Sequence, residues 1–410
     1  MTVPEQQRRF AAEVVRRLRD AGFVAYWAGG CVRDQLLGRV PKDYDVATNA
    51  TPPQIRLLFG RKRTLAIGAA FGVITVIGPK PAGMIEVATF REDAAYSDGR
   101  HPDHVTFSSA EEDALRRDFT INGLFYDPIG QEVLDFVGGR EDLAAKLIRA
   151  IGQPRQRIGE DKLRMLRAVR FAATFGFELH PDTLAAIREM ASQITVVSAE
   201  RIAMEMRRLL VEPRRAEGVG MMIDAGLADA VLPEVVPHDQ TQRRRLDHTL
   251  GVLARLSQPG FPLALGTLLH ESTDPAGARE ACRRWRLSNK ETDRVAWLVE
   301  NQAALENARS MRFSALQPLL VAEGIEDLLA LHDALALDSE AAAYCRSLLA
   351  QPREVLDPPP LLTGDDLIEH GISPGPRFRD LLQRVRDAQL DEEIRTKEEA
   401  LAMVDRLLNE

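Results

Sequence analysis

The sequence predicts an α+β protein: a small mixed-sheet head followed by an all-helical neck, body and tail. Two patterns and one length carry that prediction. Over residues 1–140, short β-branched runs alternate with helical windows, whereas from about 141 onward apolar residues recur almost wholly at three- and four-residue spacing. The chain has 410 residues, too many for one hydrophobic core. Breaks at Pro233, Pro259 to Pro262, Pro275 and Pro358-Pro359-Pro360 then divide the helical part. The expected segments are a head over 1–140, a neck over 141–215, a body over 216–355 and a tail over 356–410.

In the head, residues 5–20 read as an amphipathic helix. Val24–Ala28 reads as a short buried strand running into Gly29-Gly30, with a helix over Val32–Leu37. Asp43–Ala47 reads as a second strand. Phe71–Ile77 and Met84–Phe90 are two more, parted by the turn Gly78-Pro79-Lys80-Pro81-Ala82-Gly83, and a final short strand is expected at Val133–Val137. Helical spacing runs through 160–175, 184–196 and 199–210, and a long helix is expected over Glu398–Leu408.

Composition narrows the class. Hydrophobic residues make up 45% and charged residues 28%, ordinary values for a globular chain. No apolar run reaches the length of a membrane helix, and Met1 to Phe10 lacks the apolar stretch of a signal peptide, so a cytoplasmic protein is expected with no membrane partner. Cys31, Cys282 and Cys345 are far apart with no CxxC pair, which points to free thiols. A net charge of -8 is unpromising for a nucleic-acid binder, but the distribution matters more. Arg149 to Arg170 holds seven basic and two acidic residues, and Arg353 to the end holds fourteen acidic and eight basic, so a polyanion should meet the middle of the chain.

The strongest local signal is Gly29-Gly30-Cys31-Val32-Arg33-Asp34, followed by Asp43-Tyr44-Asp45. Two glycines between a strand and a helix let backbone amides approach a triphosphate, and Arg33 can reach the same phosphates. Asp43 and Asp45, two apart in a predicted strand, project from one face. Such a pair suits Mg²⁺, a hard cation that takes oxygen ligands and keeps room for substrate phosphates. Glu86 is an acid inside the apolar run Met84–Phe90, either a third ligand or a solvent-facing group on an edge strand.

With Asp43 and Asp45 in place, the chain resembles the nucleotidyltransferase superfamily, specifically the bacterial class II tRNA nucleotidyltransferases and the related poly(A) polymerases, over about residues 20–215. The glycine turn with its two aspartates is similar to the family's first motif. Arg116-Arg117-Asp118-Phe119-Thr120-Ile121-Asn122-Gly123-Leu124 is similar to the second, with Gly123 where the family commonly has Ala. Glu160-Asp161-Lys162-Leu163-Arg164 through Phe171 is similar to the nucleobase-reading motif, and Ser198-Ala199-Glu200-Arg201-Ile202 with Glu205 to the motif that follows. The resemblance implies Asp43 and Asp45 as catalytic metal ligands, with Arg117 also at the catalytic centre. It implies Gly29, Gly30, Arg33 and Arg117 on the nucleotide, with Asp118 and Asn122 supporting the sugar and the local fold. Asp161, Arg164, Arg167 and Arg170 would form the nucleotide pocket.

The third motif has a physical logic of its own. Asp161 and Arg164, three apart on a predicted helix, would share a face. An aspartate accepts hydrogen bonds and an arginine donates them. Cytosine and adenine present an amino donor beside a ring-nitrogen acceptor, which this pair complements. Guanine and uracil present the reverse, and a mismatch would leave unpaired polar groups at about 1–3 kcal/mol each.

The expected reaction is therefore addition of C and A from CTP and ATP to the 3′ end of tRNA. CC-only, A-only and poly(A) addition fit the same pocket, and a non-catalytic RNA-binding protein is the alternative outside the class. Residues 91–104 resemble the family's mobile loop or form an ordinary surface connection. Arg155 and Arg157 face either RNA phosphates or solvent. The tail either meets tRNA or caps the body. His248 and His270-Glu271 lack the His-Asp dipeptide and companion aspartates of the phosphohydrolase domain that some relatives carry, and they read as ordinary helix residues.

Overall fold

A computed structural model describes residues 2–93, 105–336 and 339–409. The chain divides into two compact units, residues 1–236 and 237–410.

The first unit opens with helix α1 (Val3–Asp20), capped by a reciprocal Thr2–Glu5 box, which buries Ala11, Val14, Val15 and Leu18 along one stripe. Strand β1 (Ala25–Ala28) leads through Gly29 into α2 (Gly30–Leu36), and β2 (Asp45–Thr48) follows, then α3 (Pro52–Phe59), β3 (Thr64–Leu65), β4 (Val73–Ile77) and β5 (Met84–Thr89). Strands β6 (Arg91–Asp93) and β7 (Val105–Phe107) pair as a separate ribbon, with α4 (Ala110–Leu115) after them. Strands β8 (Phe125–Asp127) and β9 (Glu132–Leu134) complete a seven-stranded sheet in the order β3-β4-β5-β2-β1-β8-β9. All its pairings are antiparallel except β2 with β5, whose register sets Asp45 beside Glu86.

The sequence-based strands are shifted in three places. The second strand starts at Asp45, so Asp43 precedes it; the alternation nevertheless reaches back, with Tyr44 buried between the exposed Asp43 and Asp45. The strand expected over Val133–Val137 lies at Glu132–Leu134, and its partner β8 was not anticipated. Phe71 belongs to a 3₁₀ turn ahead of β4.

Helix α5 (Gly139–Ala145) and a small parallel pair, β10 (Leu147–Ile148) and β11 (Glu178–Leu179), frame α6 (Pro154–Glu160) and α7 (Arg164–Phe175). Then come α8 (Pro181–Met190), α9 (Ala199–Leu210), α10 (Arg215–Asp224) and α11 (Ala228–Val231). The continuous helix expected across 160–175 is interrupted. Asp161 ends α6 in an extended conformation (φ -146°, ψ 107°), and its carboxylate accepts from the Leu163 amide at 3.1 Å. Asp161 and Arg164 therefore do not share a helix face.

The second unit is helical: α12 (Gln240–Arg255), α13 (Phe261–Leu269), α14 (Pro275–Arg284), α15 (Asn289–Asn301), α16 (Phe313–Leu320), α17 (Ile325–Leu335), α18 (Glu340–Leu349), α19 (Arg353–Leu356), α20 (Gly364–Glu369), α21 (Arg377–Leu390) and α22 (Lys397–Asn409). Its last segment buries a cluster of its own, with Leu362, Leu367, Leu381, Val385 and Val404 at the centre. No described helix is long and apolar enough to cross a membrane. Among the described residues the three cysteines are buried and form no disulfide.

Candidate active site

One cavity of ≈ 1020 Å³ in the first unit is lined by Gly29, Gly30, Arg33, Asp43, Asp45, Arg117, Asp118, Asn122, Asp161, Arg164, Arg167 and Arg170. Every residue expected from the sequence to bind nucleotide or metal is on this wall except Glu86, which is not a lining residue but is the register partner of Asp45 on the neighbouring strand.

The acidic corner comes from strand pairing. Asp45 opens β2, and Glu86 occupies an exposed position in β5, where Ile85 and Val87 turn into the core. Among the described residues no ion pair reaches Asp43, Asp45 or Glu86. Although Asp45 opens onto the cavity, the protein around its carboxyl desolvates it, and this, then the negative charges of Asp43 and Glu86, pushes its pKa up to about 6 against the pull of Arg117. Two further carboxylates near enough to act on Asp45 through charge make this corner a hard-oxygen donor set of the kind that suits a divalent ion.

The glycine turn lies beside this corner. Gly29 has φ +72°, and a Cβ there would come within 2.7 Å of Arg117 Nη1. Its amide donates to the Leu124 carbonyl at 3.0 Å, which ties the turn to the segment carrying Asp118 and Asn122. Arg117 is held from behind by Asp113, which is 1% exposed and accepts from Arg117 Nη2 at 3.0 Å and Arg116 Nη2 at 2.7 Å. Burial works to raise the Asp113 pKa, but the charges of Arg117 and Arg116 outweigh it and hold it low. The family-atypical Gly123 has a local cause, because a Cβ there would meet Val137 Cγ2 at 2.6 Å.

A hydrogen-bonded relay runs across the cavity from Arg33 to Arg167. Arg33 Nη1 donates to Asn122 Oδ1 (2.6 Å), and Asn122 Nδ2 donates to Asp118 Oδ1 (2.9 Å). Arg167 directs Nε (2.9 Å) and Nη2 (2.6 Å) at Asp118 Oδ2. Burial would raise the Asp118 pKa; the Arg167 charge and the bonds from Asn122 and Arg167 overcome it and bring it down to about 2. Glu205 extends the chain, accepting from Arg170 Nε at 2.5 Å and lying 3.6 Å from Arg167 Nη1.

Both members of the expected Asp161–Arg164 pair already have protein partners. Asp161 Oδ2 accepts from Arg201 Nη2 at 2.6 Å. Arg164 Nη1 donates to Glu160 Oε2 (2.5 Å) and to the Arg157 carbonyl (2.6 Å). A carboxylate oxygen has a second lone pair and a guanidinium has five N–H groups, so these contacts orient the pair and leave capacity for a ligand.

Several residues of the site were not read from the sequence. Phe171 and Phe175, one turn apart on α7, form an aromatic bed: the Arg33 guanidinium lies 4.5 Å from the Phe175 ring and that of Arg170 lies 4.1 Å from Phe171. Their four-residue spacing beside three arginines was the available signal. Asp113 and Glu160 act as hidden counterions. Arg157 is structural, donating to Glu160, the Ile151 carbonyl and the Leu115 carbonyl, while exposed Arg155 pairs with Glu189. Of the loop candidate over 91–104, Arg91–Asp93 form β6 and residues 94–104 lie outside the described residues.

Comparison with known proteins places this geometry. Three family models match: one described as the poly A polymerase head domain over residues 25–149, one as the probable RNA and SrmB- binding site of polymerase A over 176–238, and one as tRNA nucleotidyltransferase domain 2 over 264–404. The CCA-adding enzyme of Geobacillus thermodenitrificans is 37% identical over 306 residues, spanning 74% of this chain and 72% of the relative. The CCA-adding enzyme of Pediococcus pentosaceus is 32% identical over 407 residues, 97% of each chain. Among solved structures, the Bacillus stearothermophilus CCA-adding enzyme in complex with CTP has a TM-score of 0.80 at 28% identity, covering 100% of this chain and 99% of that one.

Proposed function

This chain belongs to the CCA-adding enzymes, and we propose that the cavity described above is where its side chains carry out that reaction. The protein adds C and A residues from CTP and ATP to the 3′ end of tRNA without a template and releases pyrophosphate. The observation that supports this use of the cavity is the meeting of an acidic corner, a glycine turn with two arginines, and an Asp–Arg pair on one wall.

In our reading Asp43 and Asp45, with Glu86 behind them, hold the divalent metal on which the family depends, and we assign that metal as Mg²⁺ because every donor is a carboxylate oxygen. Bound there, the ion supplies positive charge that favours the ionised 3′-hydroxyl and stabilises the departing pyrophosphate. The chain's own groups do the rest. Gly29 and Gly30 let the triphosphate close on the backbone, and Arg33 and Arg117 grip its oxygens, each pre-aimed by a partner on its far side. Asp118 and Asn122 brace the sugar end through the relay. Asp161 accepts the exocyclic amino group of cytosine or adenine while Arg164 donates to the adjacent ring nitrogen, and Arg167 and Arg170 wall the pocket. The 3′-hydroxyl then attacks the α-phosphate with the reacting atoms held in place.

We assign residues 1–140 as the catalytic head and 141–215 as the base-reading neck, with 216–355 as the body and 356–410 as a tail that meets the tRNA away from its 3′ end. We place the protein in the cytoplasm, where its tRNA substrate matures. The deciding experiment supplies tRNA lacking CCA with labelled CTP and ATP, separately and together. CC addition with CTP alone, completion to CCA with both, and loss of both in Asp43→Ala and Asp45→Ala are expected. Full addition by those variants would overturn the site assignment.

A further inference from the structure

In the second unit, three side chains that nucleotide addition does not use come together. His248 lies in α12, His270 follows the last residue of α13, and Glu271 comes next. Their ligating atoms all lie within 4.8 Å of one another. From the sequence they read as ordinary helix residues; the packing of α12 on α13 brings them together.

The protonation pattern at His270 is set by its surroundings. The side chain is buried, at 2% exposure, and its Nδ1 lies 2.6 Å from the Thr267 carbonyl oxygen. A carbonyl only accepts, so Nδ1 carries the proton and Nε2 carries the lone pair. Among the described residues nothing hydrogen-bonds to Nε2. Burial draws the His270 pKa down, which keeps the ring in the neutral form that a metal requires. A ring with one nitrogen anchored on a backbone carbonyl and the other left open is the arrangement that orients histidine ligands at metal centres.

The other two ligands are also supported. His248 Nδ1 lies 3.1 Å from Glu271 Oε2, and the Thr249 hydroxyl donates to that oxygen at 3.2 Å. Gln302 Nε2 donates to the His270 carbonyl at 2.7 Å and pins the end of α13. Half of the His248 side chain is open to solvent, which gives an ion a route in.

We propose that His248, His270 and Glu271 form a binding site for a divalent transition-metal ion of the zinc class, with one coordination position left for water. Two imidazole nitrogens and one carboxylate suit zinc or cobalt, whereas Mg²⁺ prefers oxygen ligands throughout. The two sites therefore select different ions. An ion here takes the place of the direct His248–Glu271 contact and ties α12 to the end of α13.

The test uses the full chain, free of any histidine tag and stripped with chelator, carrying Asp43→Ala and Asp45→Ala so that the catalytic carboxylates do not contribute. Calorimetric titration with Zn²⁺, and with Co²⁺ read by its visible absorption, should show one equivalent bound and a rise in melting temperature. His248→Ala and Glu271→Gln, both at exposed or half-buried positions, should each weaken binding at least about tenfold and abolish the melting shift. In an otherwise unaltered chain, His248→Ala should leave CCA addition unchanged. Absence of binding by the stripped protein, or undiminished affinity in either variant, would overturn the proposal.

Discussion

Replacing Asp118 by Asn isolates the charge at the centre of the relay. The carboxylate is 10% exposed, receives two Arg167 nitrogens and one from Asn122, and has its pKa lowered from 3.8 to about 2. At about 1.4 kcal/mol per unit, that difference corresponds to roughly 2–3 kcal/mol of stability at neutral pH. Because the folded value lies below the unfolded one, this stability is present in full above the unfolded pKa and is lost as pH falls through the folded pKa. Asp118→Asn should therefore unfold in less urea than the parent at pH 7, with the gap shrinking by about half near pH 3 as the unfolded carboxyl takes up its proton. Arg167 would keep only the more distant Glu205, so the pocket wall should loosen and kcat/KM for both nucleotides should fall together. Equal stability at pH 7, or a gap that does not change with pH, would refute the electrostatic reading of the relay.

Four further outcomes follow from the same geometry. Asp161→Ala should lose discrimination for C and A over G and U while keeping its fold by circular dichroism; unaltered selectivity with labelled GTP and UTP would remove Asp161 from the base-reading role. Arg201→Ala frees the Asp161 carboxylate to rotate and should raise misincorporation about tenfold, the scale of one hydrogen bond to a charged group, with unchanged fidelity as the contrary result. Asp45→Asn should melt higher than the parent without metal at pH 7.5, because a carboxyl whose pKa is raised to about 6 destabilises the fold once ionised; the gain should fade as pH drops through that value, and a lower melting point at pH 7.5 would contradict it. Gly29→Ala forces a side chain into a left-handed backbone against Arg117 and should cost at least about tenfold in kcat with about 1–2 kcal/mol of stability; normal turnover would show that the turn tolerates displacement.

What the sequence made legible was local. Gly29-Gly30, Arg33 and the Asp43/Asp45 pair lie within seventeen residues, so their spacing alone places them at one strand–turn–helix junction. Asp161 with Arg164 was reached by an argument whose helical premise fails: the chain breaks after Glu160, and the turn brings the two together instead. Long-range partners were hidden. Glu86 becomes a neighbour of Asp45 only through the parallel pairing of β2 with β5, and Glu205 meets Arg170 from a separate helix. Strand β8 is three residues long and ends at Asp127-Pro128, too short for alternation to register. His248 and His270 are on different helices, and no spacing rule joins them.

The charge of the chain illustrates why totals mislead. A protein at -8 should repel a polyanion, yet the lining of the cavity carries ten basic side chains against six acidic ones. Several of those acids are already committed: Asp118 faces Arg167, Asp161 faces Arg201, and Asp34 faces Arg33. Each such pair fixes one edge of a guanidinium and leaves its remaining N–H groups pointing where phosphate or base can take them. The acids therefore do not cancel the field for a ligand; they convert flexible cations into aimed donors. Asp43 and Asp45 stand apart because no arginine pairs with them among the described residues, and a cation from solution is what their chemistry calls for. A uniformly basic cavity would attract nucleotide without orienting it, and a uniformly paired one would have no place for the metal. In the site we propose, the division of acids into paired and unpaired sets would let one wall of the molecule hold triphosphate, ion and base in register.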